Sequence, residues 1–224
     1  MPVPENIVAE LEDGRLQIGT VILDKGKRTV TFPAEVNIKN QLVEYFLVTA
    51  TGKVHESVLR TNAEPFHVHT AMLLLGAKGA MTVPPVNFYN LRRRMPGDSI
   101  EVEVSWKDGD TTVKKRAEEL VDNLTTRQPM TPGSWAYNGS QMVNGSFAAQ
   151  NEGSIVSLIT DPYALVNNPR LGRENDKIWS VNERLVPPVK TPVEVTFRLG
   201  VPEAAASPAA TAPTVPAPPS ARGP

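Results

Sequence analysis

The sequence predicts an α+β fold, made of a mostly antiparallel β-sheet with one principal covering helix and a disordered Pro/Ala-rich C-terminal tail. Short runs rich in Val, Ile and Thr alternate with turn signals, as successive antiparallel strands do. One segment, residues 65–75, combines a helix start, an apolar run and a glycine stop. Of the final 23 residues, 7 are Pro and 8 are Ala, so a domain over residues 1–200 and a tail over residues 201–224 are predicted.

Size and charge narrow the function classes. The 224 residues are enough for one domain with a real hydrophobic core. Because 23 Lys and Arg face 24 Asp and Glu, the net charge of -1 provides no overall field that would attract nucleic acid or anionic lipid. We interpret the basic runs at residues 25–28 and 92–94 as solvated turns, and we expect no nucleic-acid partner.

The sequence also excludes cysteine-based sites and shows no pattern of a membrane span or an export signal. The chain has no cysteine, which excludes disulfides, thiolate zinc sites and a cysteine nucleophile. Its purely apolar runs, such as residues 71–75, are far shorter than the roughly 20 residues needed to span a bilayer, so no transmembrane segment is expected. The N-terminal residues lack the pattern of a secretory signal, and we expect either a cytoplasmic protein or a mature form carrying an added Met.

The first half of the chain is predicted to begin with strands. Residues 7–37 contain turn signals at 12–14 and 24–26, which indicate three strands, and Pro33 places the third at a sheet edge or a bulge. The apolar run at residues 42–50 is typical of a strand covered on both faces. Residues 52–61 follow as its expected hairpin partner.

The helix signal comes next. Pro65 suits the first turn of a helix, with Asn62 or Glu64 as the cap, and the helix is predicted to run from about Pro65 to Leu75. His67 and His69 are about 200° apart around such a helix, so they cannot bind one ion together. Later in the chain, residues 99–116 predict a hairpin and residues 191–199 a closing strand.

The first 80 residues resemble a YdjY-like domain through the segments TVTFPAEVN, LVEYFLVTATGKVHESVLRT and HTAMLLLGAKG. A looser similarity extends over residues 12–200 through GSWAYNGSQ, EGSIVSLITDP and PPVKTPVEVTFRL. The resemblance implies a bacterial protein that is periplasmic or otherwise exported, and it implies no established activity. The family pattern falls on Phe32, Pro33, Ala34, Glu44, Gly52, His55, Glu56, Ser57, His69, Leu75 and Gly76.

The candidate chemistry lies at the predicted junction of strand and helix. His55, Glu56 and His69, with Glu44 on the neighbouring strand, could hold a divalent metal ion with one position open to water. Such a site would make the protein a metal-dependent, hydrolase-like enzyme. In the alternative interpretation His69 is a hydrogen-bonded core histidine, and Glu56 accepts hydrogen bonds from His55 or from backbone amides.

A second hypothesis is recognition without catalysis. The candidate ligand-binding residues are Glu44, Ser57, Trp135, Tyr137 and Asn138. The two aromatic residues would line a groove, with the glycine- and asparagine-rich loop near Asn138 as its rim, although aromatic residues in such a domain are more often core. Ser57 has no Gly-x-Ser-x-Gly context that would indicate a hydrolase. We therefore expect a non-catalytic exported binding or structural module, whose unknown partner is a protein or a small molecule, with the metal-dependent enzyme as the alternative.

Overall fold

The computed structural model describes residues 8–200. The predicted Pro/Ala-rich tail at residues 201–224 lies outside the described residues. Within the described part, no helix has the length and apolar character needed to cross a membrane.

The strands are short and numerous. In chain order they are β1 (Val8–Glu10), β2 (Leu16–Ile18), β3 (Val21–Asp24), β4 (Thr29–Val36), β5 (Tyr45–Thr49), β6 (Ser57–Thr61), β7 (Asp98–Asp108), β8 (Thr111–Arg116), β9 (Val121–Asn123), β10 (Gln128–Pro129), β11 (Trp135–Tyr137), β12 (Met142–Val143), β13 (Ser146–Phe147), β14 (Ser154–Ser157), β15 (Val166–Asn167), β16 (Trp179–Val181) and β17 (Pro192–Leu199). The helices are α1 (Pro65–Leu74) and α2 (Ala148–Glu152), and 3-10 turns occupy Val54–Glu56, Pro85–Tyr89 and Ala117–Leu120.

Eight of these strands close into a β-barrel, in the order β4, β17, β7, β11, β15, β14, β5 and β6. Pairing of β6 with β4, at Arg60 opposite Glu35 and Leu59 opposite Val36, completes the ring. The chain is 39% strand and 14% helical, and one helix in the described residues has seven or more residues. The predicted α+β fold is therefore wrong, because the protein is mostly β.

The closure was missed because it depends on pairings between strands that lie far apart in the sequence. β4 pairs along its whole length with β17, at the other end of the domain, with Val30 opposite Phe197. Side chains alternate between two faces in an open sheet and in a barrel alike, so the same sequence pattern is compatible with both. The period of the apolar residues thus identifies strands without indicating that the sheet closes.

The predicted hairpin between residues 42–50 and 52–61 is also wrong. β5 and β6 are parallel neighbours, with Tyr45 opposite Ser57 and Leu47 opposite Leu59. The chain returns between them through the 3-10 turn Val54–Glu56, which lies at the end of the barrel. As a result, His55 and Glu56 are on a turn instead of a strand.

Elements with strong local signals agree with the predictions. Helix α1 begins at Pro65 and ends one residue before the expected position, and β7 and β8 form the expected hairpin. Pro33 lies within β4 where the pairing with β3 has ended at Thr31 and the pairing with β6 has not yet begun. The missing N–H of proline therefore removes no ladder hydrogen bond on that side.

The core is one large apolar cluster inside the barrel and beneath α1. Phe32 on β4 and Phe197 on β17 meet edge to face with ring centroids 5.3 Å apart. Helix α1 buries Val68, Ala71 and Met72 against β4 of the barrel and against β2 and β3, which extend the sheet beyond β4. Burial of this apolar area is the main stabilising contribution to the fold.

Candidate functional site

The predicted partners Glu44, His55 and Glu56 meet at one end of the barrel. His55 Nε2 is 3.6 Å from Glu56 Oε2, and the His55 side chain is 77% exposed. Burial, together with the Glu56 and Asp176 carboxylates, raises the pKa of Glu44, and the charge of Lys53 opposes that shift. The result is an acidic corner with a histidine on its outer surface.

His69 lies in a different environment. It is buried on the inner face of α1, where its Nδ1 is 2.7 Å from the Tyr137 hydroxyl and its ring packs 5.0 Å from the ring of Phe147. Burial lowers the pKa of His69, and burial followed by the charge of Asp98 raises the pKa of Tyr137. Both groups are therefore neutral at pH 7 and share one buried hydrogen bond.

The structure thus does not bring His55, Glu56 and His69 together as one set of ligands. Among residues 8–200, no three or more His, Asp or Glu side chains are grouped so that they could hold a metal ion. His69 has the contacts expected of a hydrogen-bonded core histidine. The divalent metal stays a prediction, and the contact of His55 with Glu56 alone does not supply a set of three ligands.

A chain of polar side chains, which the sequence did not reveal, runs inward beside this corner. Lys53 Nζ donates to the Tyr45 hydroxyl over 2.7 Å, and this hydroxyl donates to Asp161 Oδ2 over 3.1 Å. Burial, and then the charge of Asp161, raises the pKa of Tyr45, so the phenol keeps its proton and acts as a donor. The available signal was a tyrosine within a strand covered on both faces, since a buried hydroxyl needs a partner.

The chain of polar groups continues into the interior. Asp161 N donates to Asn167 Oδ1 over 2.8 Å, and Asn167 Nδ2 donates to Asn138 Oδ1 over 2.7 Å. Asn138 Nδ2 donates in turn to the Pro96 carbonyl. Asn138 is completely buried, so the structure places it inside the protein instead of at the rim of a groove.

The other predicted ligand-binding residues are buried too. Ser57 Oγ donates to the Leu59 carbonyl over 2.8 Å, which is a local bond within its own strand. Tyr137 bonds to His69 as described above, and Trp135 is buried under the guanidinium of Arg170, which lies 5.1 Å from the indole centroid. Trp135 is the member of this set that touches a cleft, because its Nε1 donates to Glu118 Oε2 over 3.1 Å.

This cleft, which we call the Glu118 cleft, has a volume of about 600 Å³. Its walls come from β7, β8, the 3-10 turn after β8 and the loop after β10, and they are formed by Glu101, Arg116, Glu118, Glu119, Gln128, Pro129, Met130, Pro132, Gly133 and Ser134. Glu118 is 2% exposed and also accepts a hydrogen bond from Gly133 N over 3.2 Å. A buried carboxylate therefore fixes both the wall of the cleft and the indole behind it.

Each carboxylate in the cleft wall has a cationic partner. Glu118 Oε1 is 3.1 Å from Arg116 Nη2 and 3.9 Å from Arg170 Nη2. Glu101 pairs with Arg116 over 3.0 Å, and Glu119 pairs with Lys115 over 2.9 Å. Burial lowers the pKa of Arg170, while the charge of Glu118 opposes that shift. The charges of the wall are balanced within the protein itself.

Nothing in the local sequence marks Glu118 as a buried residue. In the segment AEEL it has the appearance of any charged residue on a surface turn, because no apolar periodicity marks it as buried. Its burial follows from the 3-10 turn Ala117–Leu120, which directs Ala117, Glu118 and Leu120 inward. No role was assigned to this acidic side chain from the sequence.

Comparison with known proteins gives one result. No curated protein and no solved structure matches the chain. The sequence model of the YdjY domain matches residues 21–198, which run from the start of β3 to nearly the end of β17 and include the eight barrel strands. The chain belongs to the YdjY domain family.

Proposed function

We propose that this protein is a non-catalytic binding module whose ligand occupies the Glu118 cleft. The observation that carries the proposal is a cleft of about 600 Å³ whose wall contains a buried, fully paired carboxylate. Small-molecule sites commonly have volumes of roughly 300–1,000 Å³ and combine apolar walls with a few fixed polar groups. The cleft has both features.

The walls favour an uncharged ligand with a substantial apolar surface. Pro129, Met130 and Pro132 contribute apolar area, and the carboxylates already have their counter-charges. A charged ligand would lose its hydration without gaining an unpaired counter-ion in the wall. A neutral molecule, or a neutral segment of a partner protein, would lose much less hydration.

The loop that forms one side of the cleft is held in place before any ligand arrives. Arg170 Nη2 donates to the Gly133 carbonyl over 2.7 Å, and its Nε donates to the Thr131 carbonyl. Glu118 accepts from Gly133 N and from the Trp135 indole. Binding to a site whose side chains are already ordered costs less conformational entropy, which supports recognition as the function.

The experiment is a screen of neutral fragments, each with an aromatic ring and one amide, followed by protein-observed NMR on the full chain. We expect hits to shift the amide signals of Gly133 and Ser134 and the indole N–H signal of Trp135. The variant Ser134→Phe, which fills the cleft from an exposed wall position, should lose these shifts. The matched control is Thr112→Phe at an exposed position of β8 outside the cleft, and it should retain them. Fragments that bind elsewhere, or equally to both variants, would overturn the proposal.

Membership of the family also supports the proposal that the protein works outside the cytoplasm. Fractionation of cells that express the native gene tests this point, and recovery of the protein in the cytoplasmic fraction would contradict it. The result is independent of the fragment screen, so failure of one proposal does not decide the other.

A further inference from the structure

A second surface, distinct from the Glu118 cleft, is formed by the segment between α1 and β7. We define the Tyr89 surface by the side chains of Val86, Tyr89, Leu91, Arg92, Arg93 and Arg94. Val86 is 72% exposed, Tyr89 59% and Leu91 40%, and the three arginines that follow are exposed as well. Three apolar or aromatic side chains and three cations are thus presented within nine consecutive residues.

The exposure is a stable feature because both ends of the segment are anchored. Phe88 and Met95 are buried in a second, smaller core with Ala80 and Ala136. Arg93 N donates to the Asn90 carbonyl over 3.1 Å, which closes a turn between the apolar and the basic part. The fold therefore buries two apolar side chains of this segment and leaves the others outside.

Within residues 8–200, none of Arg92, Arg93 and Arg94 forms an ion pair with a carboxylate, whereas Arg15, Arg60, Arg116 and Arg198 all do. Because the net charge of the whole chain is -1, the attraction of this surface for anions is local. A partner that matches it must offer several negative charges next to an apolar layer.

We infer that the Tyr89 surface docks onto the headgroup region of a bilayer that contains anionic phospholipid. Arginines bind the lipid phosphates, and valine, leucine and tyrosine side chains enter the boundary between headgroups and acyl chains. Tyrosine suits this boundary because its ring is apolar and its hydroxyl is polar. A stable protein interface normally buries roughly 800 Å² on each side, whereas the Tyr89 surface is defined by six side chains of one short segment.

The test uses the full chain and sedimentation with vesicles of phosphatidylglycerol and phosphatidylethanolamine. We expect the protein to sediment with these vesicles at about 50 mM salt and to be released at about 500 mM salt. It should not sediment with vesicles of pure phosphatidylcholine. Replacing all three arginines by glutamine should weaken binding by about 100-fold, since each basic residue near an anionic surface contributes about fivefold.

Matched controls separate this local effect from net charge and from folding. The triple variant Lys25→Gln, Lys107→Gln and Lys177→Gln changes the net charge equally at dispersed, exposed positions and should bind like the unaltered protein. The variant Val86→Ser, Tyr89→Ser and Leu91→Ser should weaken binding at about 50 mM salt, and Leu124→Ser, at an exposed leucine elsewhere, should not. Melting temperatures confirm that each variant is folded.

Three outcomes would overturn the inference. In the first, the triple Arg→Gln and the triple Lys→Gln variants bind the anionic vesicles equally well. In the second, the protein binds phosphatidylcholine vesicles as tightly as anionic vesicles. In the third, it binds soluble polyglutamate as tightly as anionic vesicles, which would indicate an acidic macromolecule instead of a membrane. The Ser134→Phe variant should bind vesicles normally because its position lies in the cleft wall. A failed vesicle experiment therefore leaves the proposed cleft function intact, and the reverse also holds.

Discussion

His55 and His69 occupy opposite kinds of environment, although both were predicted to belong to one site. His55 is an exposed side chain on a 3-10 turn beside Glu56, whereas His69 is buried under α1 and bonded to Tyr137. The same side-chain chemistry therefore has different consequences in the two regions. At the exposed corner the imidazole is open to water beside a carboxylate, and in the core it contributes packing and one hydrogen bond.

The largest expected difference between the two regions is in stability. His69→Ala should lower the free energy of unfolding by about 2–4 kcal/mol, because it leaves a cavity and removes the partner of the buried Tyr137 hydroxyl. His55→Ala should change it by less than about 0.5 kcal/mol, as exposed substitutions usually do. Urea denaturation followed by tryptophan fluorescence measures both. Equal effects of the two substitutions would show that the environments do not differ as the structure indicates.

Tyr45→Phe extends the comparison to the polar chain beside the exposed corner. Loss of the hydroxyl leaves Asp161 Oδ2 without its donor and Lys53 Nζ without its acceptor. We expect a loss of about 1–3 kcal/mol, since a buried polar atom without a partner keeps its desolvation cost. The same urea measurement applies, with Tyr163→Phe as the control at an exposed tyrosine. A neutral result for Tyr45→Phe would mean that water replaces the lost hydroxyl.

The pH dependence of stability should report the burial of His69. The pKa of His69 is lowered by burial from 6.5, so the unfolded chain takes up a proton at a higher pH than the folded protein does. Stability is therefore fully present above about pH 6.5 and falls as the pH drops below that value toward the folded pKa, by at most about 1.4 kcal/mol for each pH unit. The difference in unfolding free energy between the unaltered protein and His69→Gln should shrink over this range.

The elements that could be predicted from sequence are those whose signals are local. Pro65 at the start of α1 and the turn between β7 and β8 determine the backbone over a few residues, and both elements are present. The closure of β4 with β6 depends on residues about 25 positions apart in the chain, Glu35 and Arg60, and no local pattern encodes it. The parallel pairing of β5 and β6 was missed because a turn signal after a strand is equally consistent with a hairpin.

The candidate sites, like the strands, could be predicted where they depend on residues that are neighbours in the sequence. His55 and Glu56 could be grouped because they are adjacent in sequence, and the backbone turn keeps them in contact. The environment of His69 is determined by Tyr137, which is 68 residues away, so its role depends on the tertiary fold. Glu118 is buried by the same kind of long-range packing against Gly133 and Trp135. Charged residues of this kind become recognisable as functional candidates when their surroundings are known.

The smallest expected effect concerns the predicted metal ion and its dependence on each of the two histidines. A divalent ion bound by His55 and Glu56 at the exposed corner would not reach His69, because His69 is buried under α1 and bonded to Tyr137. We therefore expect His69→Gln to leave the zinc content of the purified protein, measured by elemental analysis, equal to that of the unaltered protein. We also expect added zinc to shift both melting temperatures by the same small amount. His55→Ala is the matched variant, and a stoichiometric metal lost in this variant would support the metal-dependent alternative. Loss of metal in His69→Gln would instead mean that the two histidines come together in solution, which would remove the contrast between them.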